Sequence, residues 1–427
     1  MDLYTTIALL GTAVLLLLGV EIVVCLGLGA VFFVLTQKHF AMDNIGIATF
    51  SEINLFPLLA MPLYILTGDL IAHSGIAARL IEFSRALIGW ARGGMALTLL
   101  VACGFFAAIS GSNAATVAAM GRMMLGPMER DGYPRDYAAA VAACGGTVGI
   151  IIPPSIVFVI YGVASGTSIG DLFVAGIIPG IIMVAAMAIV ATITCRRRNI
   201  GTTIPFKFSE VARTGLRANL AFGATAVILG GIYGGIFTPT EAAAVAVAYC
   251  LIVGLFLTRE IKLRDLPRIA NTSADVAGLV APIIALAVAL SQILSVLGLP
   301  KAGVDALLGL SSEPVVIMLV VLVILLIAGM LMETTPNVIL LTPLLAPVGA
   351  QLGYDPIHFG VIFVVTLAIG FVTPPLGLNL FVASSIARVP VMTIAWRSVW
   401  MIVGLLVAML LVTFVPWFSL AFLTRAS

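Results

Sequence analysis

Apolar residues follow one another in long runs, and polar residues are concentrated at a few places between those runs. A helix that spans a membrane needs about 20 mostly apolar residues. Runs of this kind recur along the whole chain, whereas the alternating strands of a membrane β-barrel are missing. The pattern predicts an all-α integral membrane protein with about 11 to 13 membrane segments. The first run, from Thr5 to about Leu35, is predicted to be retained as helix and not removed as a signal peptide.

Two short polar clusters each separate a pair of apolar helices. The first pair is predicted over about 93–128 around the tip Ser110 to Asn113, and the second over about 315–350 around Glu333 to Thr335. About 35 residues are too few for two crossings with a turn, so we predict re-entrant hairpins with tips near mid-membrane. In the second hairpin, Thr335 followed by Pro336 predicts an N-cap with proline at the first helical position.

A helix broken by two adjacent prolines is predicted after each hairpin. The first broken helix covers about 137–165 and contains Pro153-Pro154, and the second covers about 357–386 and contains Pro374-Pro375. Proline has no N–H to donate, so the carbonyl one turn earlier loses its partner. A bilayer tolerates such backbone only where it packs in protein or lines a cavity.

The two halves repeat each other at one constant offset of 221 residues. The matched positions are Gly132-Tyr133 with Gly353-Tyr354, Gly149 with Gly370, and Pro153-Pro154 with Pro374-Pro375. The same offset places Ser112 opposite Glu333. Paired interruptions in two halves point to a secondary transporter with internal repeats. We therefore predict a first half over 1–195, a second half over 271–427, and a central segment over 196–270.

The central segment contains basic loops around a connecting pair of helices. Arginine-rich stretches at 196–217 and 259–268 flank two apolar runs, and the positive-inside rule puts both stretches in the cytoplasm. Within this segment, Thr238-Pro239-Thr240-Glu241 predicts a capping box. For Glu21, Asp69 and Asp275 a transport role and a contact with another helix or subunit stay open, and Asp69 with His73 is interpreted as an interfacial pair.

Composition and histidine spacing exclude most other classes. Only 9% of the residues are charged and the net charge is +2, whereas soluble domains have about 25% charged residues. This composition excludes a soluble enzyme, a nucleic-acid-binding protein and a disordered scaffold. The three histidines lack the His-Glu-x-x-His spacing of an intramembrane metalloprotease, and we predict that the protein is not an enzyme.

The chemistry of the interruptions favours transport of an anion with a cation. Carbonyls freed by proline, facing hydroxyls at a hairpin tip, suit a hard monovalent cation. Half-helix N-termini at the same depth suit an anionic substrate. The residues therefore predict two cation cages and one central anion site, as in a sodium-coupled carboxylate carrier.

These motifs resemble the large membrane subunit of tripartite ATP-independent periplasmic (TRAP) transporters. The segments that carry the resemblance are Ser110 to Gly121, Gly146 to Ser155, Ile232 to Ala244, Asp355 to Gly360, and Thr373 to Phe381. The resemblance implies a secondary active, sodium-driven importer of organic acids in the bacterial inner membrane. It also implies inverted repeats and an elevator motion of a transport domain against a scaffold. The implied partners are a small four-helix membrane subunit and a periplasmic substrate-binding protein, with sodium as the coupling ion and no cofactor.

The resemblance also implies the site residues, mostly through backbone carbonyls. One sodium site would use Ser110, Ser112, Gly149, Ile152 and Pro154. The other would use the Gly329–Glu333 stretch with Gly370, Thr373 and Leu376. The candidates for substrate binding are Asn113, Ser155, Thr334, Thr335 and Asn379.

Two departures and one rival accompany the resemblance. Asn113 stands where many relatives have serine, and Thr334 stands where a proline directly after the glutamate is common. The rival is a self-sufficient sodium–dicarboxylate symporter, which would not need a binding protein. The substrate stays open among C4-dicarboxylates, keto acids, sugar acids and sialic acid.

Overall fold

The structure is a computed structural model that describes residues 20–36, 54–309 and 311–423, with a few isolated positions between 7 and 51. Every element of these ranges is helical. The first half contains α1 Ile22–Thr36, α2 Ala60–His73, α3 Ile76–Ile88, α4 Gly94–Ser110, α5 Asn113–Arg130, α6 Arg135–Gly145, α7 Ile156–Ser165 and α8 Ile169–Arg198. The central segment contains α9 Phe208–Arg217, α10 Asn219–Tyr233 and α11 Pro239–Ile252. The remainder contains α12 Leu266–Val296, α13 Leu299–Leu308, α14 Pro314–Leu331, α15 Thr334–Gln351, α16 Pro356–Gly370, α17 Leu378–Ala387, α18 Val391–Phe414 and α19 Trp417–Leu420.

Short helical turns extend several of these helices. A 3₁₀ turn, Phe56–Leu59, precedes α2, and a second, Gly146–Ile150, continues α6 towards the first proline pair. A π turn, Val253–Leu257, ends α11, and a 3₁₀ turn, Leu263–Asp265, leads into α12. The predicted run from Thr5 lies mostly outside the described residues, which include its last part as α1.

The described part of the chain contains both membrane-length helices and shorter apolar helices. Six helices of the described part are long and apolar enough to span a bilayer, and five more apolar helices have only 10–17 residues. The short helices include α7, α16 and α17, which belong to the two broken helices. Two half-helices in line cross a bilayer that neither could cross alone. The fold is that of an all-α, multi-pass membrane protein.

Helix ends in the two halves fall at the same 221-residue offset as the sequence motifs. Helix α4 ends at Ser110 and α14 at Leu331, while α5 ends at Arg130 and α15 at Gln351. The pattern continues in α6 and α16, which begin at Arg135 and Pro356. Both proline pairs contain a cis peptide bond. Each half therefore has the same order of helix pair, broken helix and long helix.

The bases of the two hairpins lie at opposite ends of α8. At its C-terminal end, Arg92 donates to the Asn199 Oδ1 at 3.4 Å, and the Thr202 N–H donates to the Asp131 carboxylate at 3.2 Å. These contacts hold the start of α4 and the end of α5. At the N-terminal end of α8, Thr167 and Tyr354 line one cavity of about 340 Å³ together with the end of α15. The 30 residues of α8 separate these ends by about 45 Å.

The central segment contains one element that the sequence pattern did not reveal. Within the arginine-rich stretch, α9 is a helix with exposed Phe208 and Leu216, and it bends by 59° from α10. Its ten residues are too few and too charged for the hydropathy pattern to single out. Helices α10 and α11 form the connecting pair that follows it.

Candidate functional site

The first hairpin tip is closed by three hydroxyl groups. Ser112 is the N-cap of α5, and its Oγ accepts a hydrogen bond from the Ala115 N–H at 3.4 Å. The Thr116 hydroxyl donates to the Ser112 carbonyl oxygen at 2.7 Å and lies 3.1 Å from the Ser110 Oγ. Thr116 was missed in the sequence, although it stands one turn after Ser112, a predicted site residue. It brings the two predicted serines into one cluster.

The first break lies directly against this tip. A Cβ atom built on Gly149 would lie 2.5 Å from the Ser112 carbonyl oxygen and 2.8 Å from the Thr116 hydroxyl. Gly111, at φ +62°, approaches the Pro154 carbonyl oxygen so closely that its Cβ would lie 2.7 Å away. Only glycine permits both approaches. Predicted residues of the first sodium site therefore meet as a group of neutral oxygen atoms.

Ile152 and Ser155, two other predicted site residues of the first break, make different contacts. The Ile152 side chain packs on α8, where a Cβ atom on Gly180 would lie 2.4 Å from its Cγ1, so only the backbone of Ile152 is left for a ligand. The Ser155 hydroxyl donates to the Ile150 carbonyl at 2.5 Å and accepts from the Phe158 N–H at 3.3 Å. Pro154 cannot donate to Ile150, so Ser155 replaces the missing donor and caps α7.

The second tip is capped by an acid. Glu333 is the N-cap of α15, and its carboxylate accepts from the Thr335 N–H at 3.1 Å. The expectation that Thr335 caps the helix with Pro336 at its first position was wrong, because α15 begins two residues earlier, at Thr334. Pro336 is tolerated there because the first-turn amides of a helix have no intrahelical partner. Asn337 was missed, yet its amide donates to the Ala328 and Met332 carbonyls at 3.0 and 3.1 Å.

The second break meets its hairpin below the tip. A Cβ atom built on Gly370 would lie 2.6 Å from the Gly329 Cα, so α14 and α16 are in backbone contact. The Gly377 N–H donates to the Met330 carbonyl at 3.3 Å. The Thr373 hydroxyl is bonded to the Ile369 carbonyl at 2.8 Å, and Leu376 is 45% exposed. Gly329 and Gly370 are brought together, whereas the Leu376 side chain points away from the packed backbone.

Two buried asparagines, Asn379 of the second broken helix and Asn113 of the first hairpin, both lie close to Gly146 of the first broken helix. The Asn379 amide donates to the Ala143 carbonyl at 3.1 Å, and Asn113 accepts from the Ala114 N–H at 2.8 Å. A Cβ atom on Gly146 would lie 3.2 Å from the Asn113 carbonyl oxygen and 3.4 Å from the Asn379 Nδ2. The Asn113 Nδ2 and the Asn379 Oδ1 have no hydrogen-bond partner within the described structure. Buried polar atoms are seldom left unpaired, so a donor and an acceptor remain for a bound group.

The remaining substrate candidates lie at the second tip. Thr334 and Thr335 are buried in the first turn of α15. No hydrogen bond between described residues joins them to Asn113 or Asn379. The structure thus brings both asparagines close to Gly146, whereas no such shared contact joins the threonines to them.

Charge distinguishes the two tips. The first cluster consists of hydroxyl and carbonyl oxygens, and the second adds the Glu333 carboxylate. Among the described residues no group of three His, Cys, Asp or Glu side chains has the arrangement of a metal site. A cation at either tip would therefore be held mainly by backbone and hydroxyl oxygens, which suit a hard monovalent ion.

Acids outside the tips have structural contacts. The Asp69 carboxylate accepts from the Ser273 hydroxyl at 2.6 Å and so joins α2 to α12. The His73 ring contacts the Asp69 backbone carbonyl at 2.8 Å, so the two residues are in contact through the Asp69 backbone. The capping box at Thr238 and Glu241 is confirmed. Glu21 and Asp275 are exposed.

Comparison with known proteins gives consistent matches over the whole chain. The family model described as "Tripartite ATP-independent periplasmic transporter, DctM component" matches residues 9–418. A C4-dicarboxylate TRAP transporter large permease protein DctM from Pseudomonas aeruginosa is 38% identical over 93% of both chains. An isethionate TRAP transporter permease protein DctMQ from Oleidesulfovibrio alaskensis is also 38% identical, over 95% of this chain and 64% of that protein. These matches include both hairpins and both broken helices.

One solved structure shares the fold. The crystal structure of the Alcanivorax borkumensis YdaH transporter superposes with a TM-score of 0.57, covering 84% of this chain and 86% of that one, at 14% identity. At this identity the likeness concerns the architecture alone.

Proposed function

The chain belongs to the family of DctM components of tripartite ATP-independent periplasmic transporters, and from this premise we propose that it is a sodium-coupled importer of small organic acids. It is a multi-pass protein of the inner membrane, and its family consists of transporter permeases, not enzymes. The proposal concerns the coupling ion, the substrate and the motion. The observation that supports it best is the pairing of each hairpin tip with a proline-broken helix.

The two hairpins are proposed to enter the membrane from opposite sides. Their bases lie at opposite ends of α8, near Asn199 for the first hairpin and near Thr167 for the second. Arg196, Arg197 and Arg198 end α8, which puts the first base at the cytoplasmic side and the second at the periplasmic side. This is the arrangement of inverted repeats around a site at mid-membrane.

The two tips are the proposed sodium sites. The first would use the Ser110 hydroxyl, the Ser112 carbonyl and the backbone of Gly149, Ile152 and Pro154, with the Thr116 hydroxyl as an additional ligand. The second would use Glu333 and the backbone around Gly329, Gly370, Thr373 and Leu376. The close approach of Gly149 to the Ser112 carbonyl and of Gly370 to Gly329 supports both assignments, because it brings the backbones of a hairpin and a broken helix into contact in each half.

The buried asparagines are the proposed first contacts of the substrate. The Asn113 Nδ2 is a donor without a partner at the positive end of α5, where a carboxylate is favoured. The Asn379 Oδ1 offers an acceptor for a hydroxyl or a protonated group of the same molecule. Ser155, Thr334 and Thr335 would border this site from the adjoining helix starts. The relatives' names include a dicarboxylate and a sulfonate, which share small size and negative charge.

An elevator motion is proposed for the helices that carry the tips. The hairpins and the broken helices contact one another and the long helices α8 and α18. A second set forms through the contacts of α2 with α11 and α12, and of α10 with α11. The two sets meet where α12 contacts α15 and where α3 contacts α4. We propose that the first set moves as the transport domain against the second, which is the scaffold.

Two protein partners complete the proposed transporter. They are a periplasmic substrate-binding protein and a small membrane subunit of four helices. The family's tripartite description supports both. The relative named DctMQ supports the second, since this chain covers only 64% of its length.

Uptake into proteoliposomes tests the proposal. The chain is reconstituted with its small subunit, and a panel of labelled organic acids is offered with and without a sodium gradient and a binding protein. Uptake that requires both the gradient and the binding protein is expected. Sodium-driven uptake without a binding protein would identify a self-sufficient symporter, and uptake that is independent of sodium would overturn the assignment of the tips.

A further inference from the structure

A groove between α8 and α18 lies outside both hairpins and has no role in the proposed transport step. It has a volume of about 310 Å³, and α6 forms its floor. One face of α8 lines it with Val190, Thr194 and Arg198, and α18 contributes Trp396, Arg397 and Trp400 among others. The three residues of α8 are spaced four apart, so they follow one stripe along the helix.

The groove changes from charged to apolar along its length. Arg198 lies in the last turn of α8, at the end assigned to the cytoplasm, and Val190 lies about 12 Å deeper along the helix axis. Gly404 closes the deep end, because a Cβ atom there would lie 3.0 Å from the Val190 side chain and 3.5 Å from the Ala186 carbonyl oxygen. The two helices touch at this glycine and enclose the groove on its cytoplasmic side.

The charged end offers fixed donors for an anion. The Arg397 Nε donates to the Asp136 carboxylate at 2.6 Å, and the other oxygen of Asp136 accepts from the Tyr137 N–H at 2.8 Å. Each carboxylate oxygen of Asp136 therefore has one hydrogen-bond partner. Asp136 orients Arg397 through a single nitrogen, Nε. Arg198 is exposed and forms no ion pair with a described residue. With two arginines and one aspartate the groove has an excess positive charge.

Two exposed tryptophans border the same end. Trp396 is 73% exposed and Trp400 is 68% exposed. Tryptophan is enriched at the level of lipid head groups, where its ring meets both apolar chains and polar groups. Two exposed tryptophans beside arginines are typical of a surface at the level of lipid head groups.

We propose that this groove is a binding site for an anionic phospholipid, with the phosphate at Arg198 and Arg397 and an acyl chain between Trp400 and Val190. Basic pockets between membrane helices on the cytoplasmic side bind anionic head groups by this combination of charge and apolar length. A free phosphate would use the arginines but not the apolar end. Because α8 and α18 belong to the set proposed to move, the lipid would travel with that set.

Quenching of tryptophan fluorescence by brominated lipids tests the site. The chain has four tryptophans, so Trp90→Phe and Trp417→Phe leave only the two of the groove as reporters. The purified, delipidated protein is titrated with dibrominated phosphatidylglycerol and, separately, with dibrominated phosphatidylcholine. Half-maximal quenching is expected at an about fivefold lower concentration of phosphatidylglycerol than of phosphatidylcholine.

Two matched arginine variants identify the charge. Arg198→Gln removes the cation that lines the groove, and Arg197→Gln removes an equally exposed cation of the same turn that does not. The preference for phosphatidylglycerol is expected to disappear in Arg198→Gln and to persist in Arg197→Gln. Equal quenching by the two lipids in the parent, or equal losses in the two variants, would overturn the proposal.

Two competition experiments separate the lipid from other occupants. In the first, inorganic phosphate is added to one sample and sodium chloride of the same ionic strength to another. The preference for phosphatidylglycerol is expected to be the same in the two samples. Selective loss with phosphate would assign the site to a soluble anion. Loss of quenching by both lipids when the small membrane subunit is added would assign the groove to a protein contact instead.

Discussion

The first break is buried and the second is open, although the same two prolines stand at the same offset in each half. Pro153, Pro154 and Ser155 are all buried, whereas Pro375 and Leu376 are exposed. The difference comes from α8, which lies over the first break. A Cβ atom on Gly176 of α8 would lie 2.4 Å from the Ile151 carbonyl oxygen. A shared sequence signature can thus produce one enclosed and one accessible break.

The tips also reach the same geometry with different chemistry. Ser112 and Glu333 are equivalent by the 221-residue offset, and both are N-caps. The same offset relates Thr116 to Asn337, and both side chains donate to tip carbonyls. The first tip uses hydroxyls, and the second uses a carboxylate and an amide. A cation would meet hydroxyl and carbonyl oxygens at the first tip and a carboxyl group as well at the second.

The largest loss of stability is expected from adding a methyl group at the two glycines that contact backbone, Gly149 and Gly370. Gly149→Ala and Gly370→Ala would each force backbone apart, at a cost of about 3 kcal/mol of folding free energy, because no flexible side chain can give way. Gly149→Ala should also displace the Ser112 carbonyl and weaken sodium binding. Thermal unfolding in detergent over a sodium series measures both effects, because a bound ion stabilises the folded state.

The matched control for these two variants is Gly126→Ala in α5, where a Cβ atom meets nothing within 4 Å. It should raise the melting temperature slightly, because alanine is the better helix former at an open helical position, and leave the sodium dependence unchanged. A Gly149→Ala protein with the parent's sodium dependence would remove the first tip from the proposed sodium sites.

Smaller effects on stability are expected from replacing the two residues whose side chains donate to tip carbonyls, Asn337 and Thr116. Asn337→Ala removes two side-chain hydrogen bonds to tip carbonyls and should cost about 2 kcal/mol of stability, whereas Thr116→Val removes one and should cost about 1 kcal/mol. Thr116→Val should also raise the sodium concentration needed for half-maximal stabilisation, because its hydroxyl lies in the first cluster. Unfolding midpoints with and without sodium provide the measurement.

Thr366→Val in α16 is the control for the loss of one buried threonine hydroxyl, since Thr366 donates to the Ile362 carbonyl at 2.7 Å. If it shifts the sodium response as much as Thr116→Val, the effect at the tip is not specific.

Replacing a proline of each break by alanine restores a backbone N–H, and the effect on sodium-dependent uptake should differ between the two breaks. Pro153→Ala supplies an N–H that can occupy the Gly149 carbonyl, whereas the Gly370 carbonyl already accepts from the Thr373 N–H at 3.0 Å. We expect Pro153→Ala to weaken sodium-dependent uptake about fivefold, the factor that corresponds to one net hydrogen bond of about 1 kcal/mol. Pro374→Ala should weaken uptake less. Sodium titrations of uptake in proteoliposomes measure both, and the reverse order would contradict the comparison.

The smallest effect is expected outside both tips. Glu241→Ala removes the carboxylate that accepts from the Thr238 N–H at 2.8 Å and so opens the capping box of α11. The melting temperature should fall slightly and the sodium dependence of uptake should stay that of the parent. A lowered uptake with an unchanged melting temperature would show that Glu241 has a transport role.

Local chemistry made parts of the site predictable. Proline removes a donor wherever it stands, so both breaks were visible in the sequence, as was the capping box at Thr238. The start of α15 was placed incorrectly because its cap is a glutamate, whose carboxylate accepts from the N–H two residues later, and a pattern of small capping residues does not indicate this. Thr116 and Asn337 were missed because a polar residue one turn inside a helix has no distinctive local signal.

Sequence patterns were sufficient to predict the class of protein, the positions of the tips and breaks, and the family, because hydrophobic length, proline and glycine act within a few residues of where they stand. Which elements meet depended on the packing of the whole chain. This packing placed Asn379 beside the first broken helix, α8 over the first break and Arg198 beside Arg397. Those contacts join residues that are far apart in the chain, and a pattern within a few residues does not indicate which distant segments will pack together.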